Sequence, residues 1–180
     1  MNAVIDVAWH LQGSPLGELL VAATDEGVCL VEWGDPSVAL RSLEIKTGAP
    51  ARRSSSLHPV GEQLDSFFAG ERRSFDVPLD LSWVSAFCRR VLERLARVPF
   101  GVLTTYGSLA AAVSSAPRAV GRAVGSNPVP VLVPCHRVVA ADGTLGGFGG
   151  GLDRKRLLLS LEGHEALPGG WPARRSDGQR

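Results

Sequence analysis

From Ala3 to Leu11 apolar and polar residues mix at strand spacing, and Ser14-Pro15 marks a turn. Leu16 to Ala23 reads as a second strand and Asp25-Glu26-Gly27 as a turn. Val28 to Trp33, rich in β-formers, completes a hairpin or meander. Gly34-Asp35-Pro36 breaks the pattern ahead of a short helix from Ser37 to about Ile45. The small, polar and basic stretch Thr47 to Ser56 reads as a surface loop. In Pro59 to Ala69 the apolar Val60, Leu64, Phe67 and Phe68 share one side of a helix that Gly70 stops. Ser74 to Leu79 is expected to add one more strand.

The rhythm then becomes helical. Ser82 to Arg97 carries Phe87, Val91, Leu95 and Val98 at helical spacing, and Pro99 and Gly101 end it. Thr104 and Thr105 precede an apolar helix, about Tyr106 to Val113. Ser114-Ser115-Ala116-Pro117 is a compact turn, and a second short helix runs from Arg118 to about Gly125. Pro128, Pro130 and Pro134 stiffen the approach to Cys135. Gly143 to Gly151 holds six glycines in nine residues and must be a loop, after which Leu152 to Leu161 forms a leucine-rich helix. The pattern predicts an α+β protein. Residues 1–80 would be a small α/β domain with an antiparallel sheet. Residues 81–165 would be a helical domain, and 166–180 a poorly ordered tail.

Charge sharpens this division. The 180 residues carry a formal net charge of +1, which hides an asymmetry. Residues 1–80 hold six basic and twelve acidic side chains, a net of −6, whereas residues 81–162 hold ten basic and four acidic, a net of +6. A basic second half fits a polyanionic partner, although arginine-rich helices are also ordinary solvated faces. Hydrophobic residues at 44% and charged residues at 21% permit a true core. Charges interrupt every apolar run, so no membrane span and no secretory leader is expected. Cys29, Cys88 and Cys135 fit neither a disulfide framework nor a zinc spacing, which points to a reducing, cytoplasmic setting. A monomer without cofactor is expected.

Two short helices around a turn outline a helix-turn-helix, but many helical domains contain that outline. Arg118, Gly121, Arg122 and Gly125 fall on one face of the second helix, basic and nearly free of bulk, so its backbone can approach a phosphate chain. Val120, Ala123 and Val124 face a core. Cys29 and Cys88 read as small buried apolar residues. Cys135 differs because His136 follows it, prolines hold it and a glycine-rich loop lies nearby. An adjacent base or cation raises the thiolate population at neutral pH. Adjacent side chains of an extended chain diverge, so Cys135 and His136 need a bend or a bridging water. His136 alone could equally be a structural histidine.

At these residues the chain resembles the O6-alkylguanine-DNA alkyltransferases. The resemblance rests on Arg118-Ala119-Val120-Gly121, Asn127-Pro128, Pro134-Cys135-His136-Arg137-Val138 and Leu157-Leu158 followed by Glu162. Ser14-Pro15-Leu16-Gly17, Ala23-Thr24-Asp25-Glu26-Gly27 and Thr105-Tyr106-Gly107 with Leu109-Ala110 extend it over roughly residues 10 to 165. It implies that residues 81–165 are a helical DNA-binding domain with a winged-helix-like helix-turn-helix. It also implies single-turnover, irreversible transfer of an alkyl group from O6-alkylguanine in double-stranded DNA to Cys135, with O4-alkylthymine as a candidate second substrate. The second helix, with Ala119 among its contacts, would enter the minor groove. Arg118 would fill the space left by the flipped nucleotide. His136 would accept the thiol proton through water and Glu162 would orient the imidazole. Tyr106 would donate to the base, and Asn127 would fix the cysteine loop. Pro134, Val138, Phe148, Gly149 and Gly150 would line the pocket, with Phe148 its only bulky side chain and Gly149 too confined for a β-branched residue.

Some relatives carry tyrosine where Phe148 stands or serine where Gly149 stands, and some bind zinc in the first domain. Cys29, His10 and His58 are the only soft ligands of residues 1–80 here, so no metal is expected. Two other readings use the same residues: a lesion-binding or regulatory helix-turn-helix protein without chemistry, and a thiol hydrolase built on Cys135 and His136. The hydrolase leaves Arg118 and Arg122 unexplained.

Overall fold

The computed structural model describes residues 6–165. Residues 166–180, expected to form a tail, and the Ala3 to Ile5 part of the first expected strand lie outside the described residues. Strands β1 (Val7–Gln12), β2 (Leu19–Thr24) and β3 (Gly27–Trp33) form an antiparallel meander. Helix α1 (Pro36–Thr47) starts where the Asp35 side chain accepts from the Ser37 amide, and ends at Gly48 with φ +69°.

The sheet is mixed rather than purely antiparallel. Ala51–Arg53, inside the stretch expected to be a loop, forms β4 and pairs in parallel with β1, giving the order β3-β2-β1-β4. Three residues with two arginines carry no alternation to read, and an edge strand needs none. Conversely, Ser74 to Leu79 does not become a strand. Only Leu79 bridges to Val28, while the Val28 amide donates to Pro78 O at 2.9 Å and the Asp80 amide to Val28 O at 2.9 Å. Pro78 has no N–H to continue a ladder.

Helix α2 (His58–Phe68) lays fully buried Leu64 and Phe67 into the core, where the rings of Phe68, Phe75 and Phe100 surround Phe67 at 5.5, 5.1 and 6.1 Å. Helix α3 (Ala86–Leu95) begins later than its apolar spacing predicts, capped by Ser85. The preceding residues are committed to Asp80. Its buried carboxylate accepts from the Ser82 amide (2.9 Å), the Trp83 indole (3.0 Å) and the Thr24 hydroxyl of β2 (2.7 Å), pinning the crossing between the halves to the sheet.

Helices α4 (Tyr106–Ala112) and α5 (Pro117–Gly125) flank a turn closed by Ser114 at φ +52° and by Ser115 N donating to Ala110 O at 2.9 Å. Two-residue strands β5 (Thr104–Thr105) and β6 (Val138–Val139) pair in parallel, and α6 (Leu152–Leu161) packs behind Cys135 to Arg137. One apolar cluster runs from Leu19, Val31 and Phe67 through Val91 and Leu95 to Val120, Val133 and Leu158. Sheet and helices therefore share a core, and burial of either half depends on the other.

Gly27, at φ +147°, lies where an added Cβ would sit 2.5 Å from the Pro78 carbonyl oxygen. Gly27→Ala should therefore separate β3 from the 78–80 segment and cost about 2–4 kcal/mol, the range of a strained backbone combined with a lost hydrogen bond. The urea midpoint measures this; an unchanged midpoint would show that the Val28–Pro78 contact contributes nothing.

Candidate active site

Pro134 (φ −80°, ψ 64°) turns the chain out of its proline-stiffened approach, and Cys135–Arg137 forms one 3₁₀ turn leading into β6. The bend sends three consecutive side chains into the interior: Cys135 is 7% exposed, His136 0% and Arg137 6%. At the C-cap of α6, Glu162 Oε1 accepts from His136 Nε2 at 2.8 Å. Arg137 Nε lies 2.9 Å and 3.0 Å from the two carboxylate oxygens, and its Nη2 donates to Oε1 at 2.8 Å. The Gly101 amide donates to Oε2 at 2.9 Å.

The electrostatics follow from this packing. Burial raises the Glu162 pKa, but hydrogen bonds from His136 and Arg137 outweigh it and hold the carboxyl at about 2. An ionised carboxylate can only accept, so His136 Nε2 carries the proton. Burial is the main reason the imidazole stays below its ordinary 6.5. His136 Nδ1 is then a free lone pair, buried and without a partner. Burial also pushes the Cys135 thiol up to about 11, against hydrogen bonding from Asn127 and the positive charge of Lys155. The resting thiol is protonated, contrary to the expectation that a neighbouring base populates the thiolate. The 3₁₀ turn sends His136 to Glu162, and no direct bond joins its ring to Sγ.

Asn127, just past α5, donates through Nδ2 to Val133 O at 2.9 Å and accepts from Val129 N at 3.1 Å, bracing the strap that ends in Cys135. Tyr106 opens α4 half-buried. Burial raises its phenol above the ordinary 10, opposed by a backbone hydrogen bond from Gly147. On α5, Arg118, Arg122 and Gly125 are exposed while Ala119 and Gly121 are half-buried. A Cβ at Gly121 would rest 3.8 Å from the Tyr106 ring, so that glycine faces α4 as well as solvent.

Cys135 opens onto a cavity of about 320 Å³ between the sheet and the helices, lined also by Val124, Gly125, Asn127, Pro130, Phe148, Gly149 and Gly150. Three expectations change here. Pro134 lines a separate cavity with Arg73, Phe100 and Arg137. Val138 is fully buried with its carbonyl accepting from Lys155 Nζ at 2.6 Å, and it lines no part of the Cys135 cavity. Phe148 is not the sole bulky side chain, because Trp33 of β3 lines the same space with its ring centroid 6.1 Å from that of Phe148. The tight glycines also differ from the one expected. A Cβ at Gly149 would meet nothing within 4 Å, whereas one at Gly150 would lie 2.8 Å from Phe148 Cε1, and one at Gly146 3.2 Å from Tyr106 Cε2.

Comparison with known proteins agrees with this geometry. Residues 7–81 match the family model for the ribonuclease-like domain of 6-O-methylguanine DNA methyltransferase, and residues 86–164 match its DNA binding domain. The methylated-DNA–protein-cysteine methyltransferase of Mycobacterium leprae is 48% identical over 86% of this chain and 91% of its own length. That of Mycolicibacterium paratuberculosis is 41% identical over 87% and 92%. The chain belongs to the 6-O-methylguanine DNA methyltransferase family. Among solved structures, Mycobacterium tuberculosis OGT in complex with DNA superposes with a TM-score of 0.75 at 35% identity, covering 87% of this chain and 93% of that one.

For this methyltransferase family member, sequence reasoning missed three supporting side chains. Lys155 of α6 is fully buried, its ammonium donating to the carbonyls of Val138, Leu145 and Gly147, and it ties the glycine loop to the strand after Cys135. Burial brings its pKa down to about 8. Arg137 also donates to Val98 O. Arg154 donates to Leu16 O at 2.9 Å and Gly150 O at 2.8 Å, linking the halves across the cavity. The only signal was position: Lys155 follows Leu152 at i+3 and precedes Leu158 and Leu159 at i+3 and i+4, on the apolar face of α6.

Acid should unfold the protein through this cluster, by the following signs. Glu162 titrates at about 2 folded against an ordinary 4.5, so its stabilisation is complete above 4.5 and is lost as pH falls toward 2. His136 is depressed below 6.5, so the unfolded chain takes up its proton first and stability declines below 6.5. Urea midpoints should be level near neutrality, decline below 6.5 and fall faster below 4.5. Glu162 was expected to tune only the imidazole; its bonds to Arg137 and Gly101 give it a structural role as well. Glu162→Gln should cost about 3–5 kcal/mol because it leaves Arg137 buried without a counter-charge. A stability loss under about 1 kcal/mol would contradict that role.

Proposed function

We propose that the protein repairs O6-alkylguanine in double-stranded DNA by direct reversal, moving the alkyl group irreversibly to Cys135. The observation that carries this reading is a protonated cysteine at the wall of an open-mouthed cavity, beside a neutral histidine whose second nitrogen is fixed by an ionised carboxylate. The helix-turn-helix of α4 and α5, with exposed Arg118 and Arg122, stands over that cavity's Val124–Asn127 wall.

In the reaction Sγ forms a bond to the alkyl carbon as the carbon–O6 bond breaks. His136 Nδ1 takes the thiol proton through a water, and the Glu162 carboxylate balances the imidazolium. Tyr106, protonated at neutral pH, lends a proton to the departing guanine and recovers one from His136 through solvent, so the thiol proton ends on the base. Asn127 holds the strap, and main-chain amides of the glycine loop hold the base edge. The thioether is not reopened, so each protein acts once. Arg118 fills the duplex position vacated by the flipped nucleotide, and Arg122 contacts phosphate, with Ala119, Gly121 and Gly125 allowing close approach. A DNA substrate fits an intracellular, cytoplasmic setting. No helix among the described residues is long and apolar enough to cross a membrane.

Incubation with a duplex holding one O6-methylguanine should add the mass of one CH₂ to the peptide containing Cys135, in a one-to-one yield. Cys135→Ser should bind the duplex but gain no mass; methyl transfer in that variant would remove Cys135 from the mechanism.

The two arginines should separate by substrate. Arg118→Ala is expected to slow repair of duplex about 100-fold or more, of the order of an unpaid base-flipping cost of a few kcal/mol, while reaction with free O6-benzylguanine changes little. Arg122→Ala should weaken binding to any DNA and lower its salt slope by about one. Equal losses on duplex and free base for Arg118→Ala would indicate a folding defect instead.

A further inference from the structure

We infer that Trp33, contributed by the sheet half, is a selectivity residue of the alkyl pocket that favours aromatic O6 substituents over methyl. This rests on the repair reading above. Trp33 ends β3 and lines the cavity that holds Cys135. Its position is fixed from several sides. The Val31 amide, two residues earlier, donates to Pro128 O at 2.8 Å, so β3 is bonded to the adjoining stretch of the cavity lining from the helical half. The Arg154 guanidinium lies 5.4 Å from the indole centroid while its N–H groups hold Leu16 O and Gly150 O. Phe148 stands at 58° to the indole with 6.1 Å between centroids.

Gly150 makes this wall possible. Its missing Cβ would sit 2.8 Å from Phe148 and 2.9 Å from Trp33 Cζ3, so the two rings close directly on the loop backbone. Cys135, Trp33 and Phe148 therefore bound one space of about 320 Å³, some ten times the roughly 30 Å³ that one water occupies in the liquid. A methyl group, about the size of that water, reaches little of the wall. A benzyl group carries its ring toward two aromatic faces and gains offset or edge contacts there. The guanine is the same in both substrates, and the greater intrinsic reactivity of a benzylic carbon cancels when the benzyl-to-methyl ratio is compared between parent and variant, so the change in ratio reports the wall.

The test compares second-order rates of Cys135 alkylation by duplexes holding O6-methylguanine and O6-benzylguanine, in the full-length parent, Trp33→Phe and Trp33→Leu. Leucine keeps apolar bulk but removes the aromatic face. The benzyl-to-methyl rate ratio should fall about tenfold in Trp33→Leu, the size expected for a lost aromatic pair, and stay within about threefold of the parent in Trp33→Phe. In a protein whose other tryptophans (Trp9, Trp83 and Trp171) are replaced by phenylalanine, benzyl transfer should change Trp33 fluorescence more than methyl transfer does. An equal ratio in parent and Trp33→Leu overturns the inference, as does a parent that accepts methyl but excludes benzyl. The parent's methyl transfer checks the repair reading separately from the ratio.

Discussion

The Glu162 carboxylate at the end of α6 is where the interior of the helical half converges. Four N–H groups reach it: His136 Nε2, Arg137 Nε and Nη2, and the Gly101 amide. A buried charge persists only when its hydrogen-bonding capacity is filled. The same saturation that keeps Glu162 ionised fixes which imidazole nitrogen bears the proton, and draws the 3₁₀ turn, the segment after α3 and the end of α6 to one point. Chemistry and folding are thus coupled in one group.

Lys155 plays the corresponding part on the other side of Cys135. Its ammonium gathers carbonyls from β6 and the glycine loop, so a segment with little side chain of its own is shaped by a helix residue. Arg154, one residue earlier, reaches the opposite way, to the sheet half. Adjacent positions on α6 therefore hold the loop from both sides, and α6 organises a cavity that it barely lines.

Much of this was legible in the chain. The apolar spacing of Phe87, Val91 and Leu95, the glycine density after Gly143 and the setting of Cys135 each reported a local constraint, and local constraints survive in a single sequence. What the pattern could not carry was pairing at a distance. The parallel β4, three residues with two arginines, exists because β1 offers an edge. Trp33 belongs to the cavity because β3 is bonded to Pro128, nearly a hundred residues away. The confinement at Gly150 rather than Gly149 depends on where two rings come to rest. The thiol's high pKa reflects burial that no neighbouring residue announces, and His136 beside it in sequence turns away toward Glu162.

That buried thiol has a consequence for how the molecule waits. Oxidants and small electrophiles attack exposed thiolates, and the first oxidised product of a cysteine is easily driven on to irreversible forms. Cys135 is 7% exposed and remains a thiol until about pH 11, so it offers neither access nor charge to such reagents. On the proposed reaction, which uses the sulfur only once, inertness at rest is a form of storage. In that reaction the thiol stays unspent in the cell's chemical traffic until a base occupies the cavity and a proton acceptor comes into line.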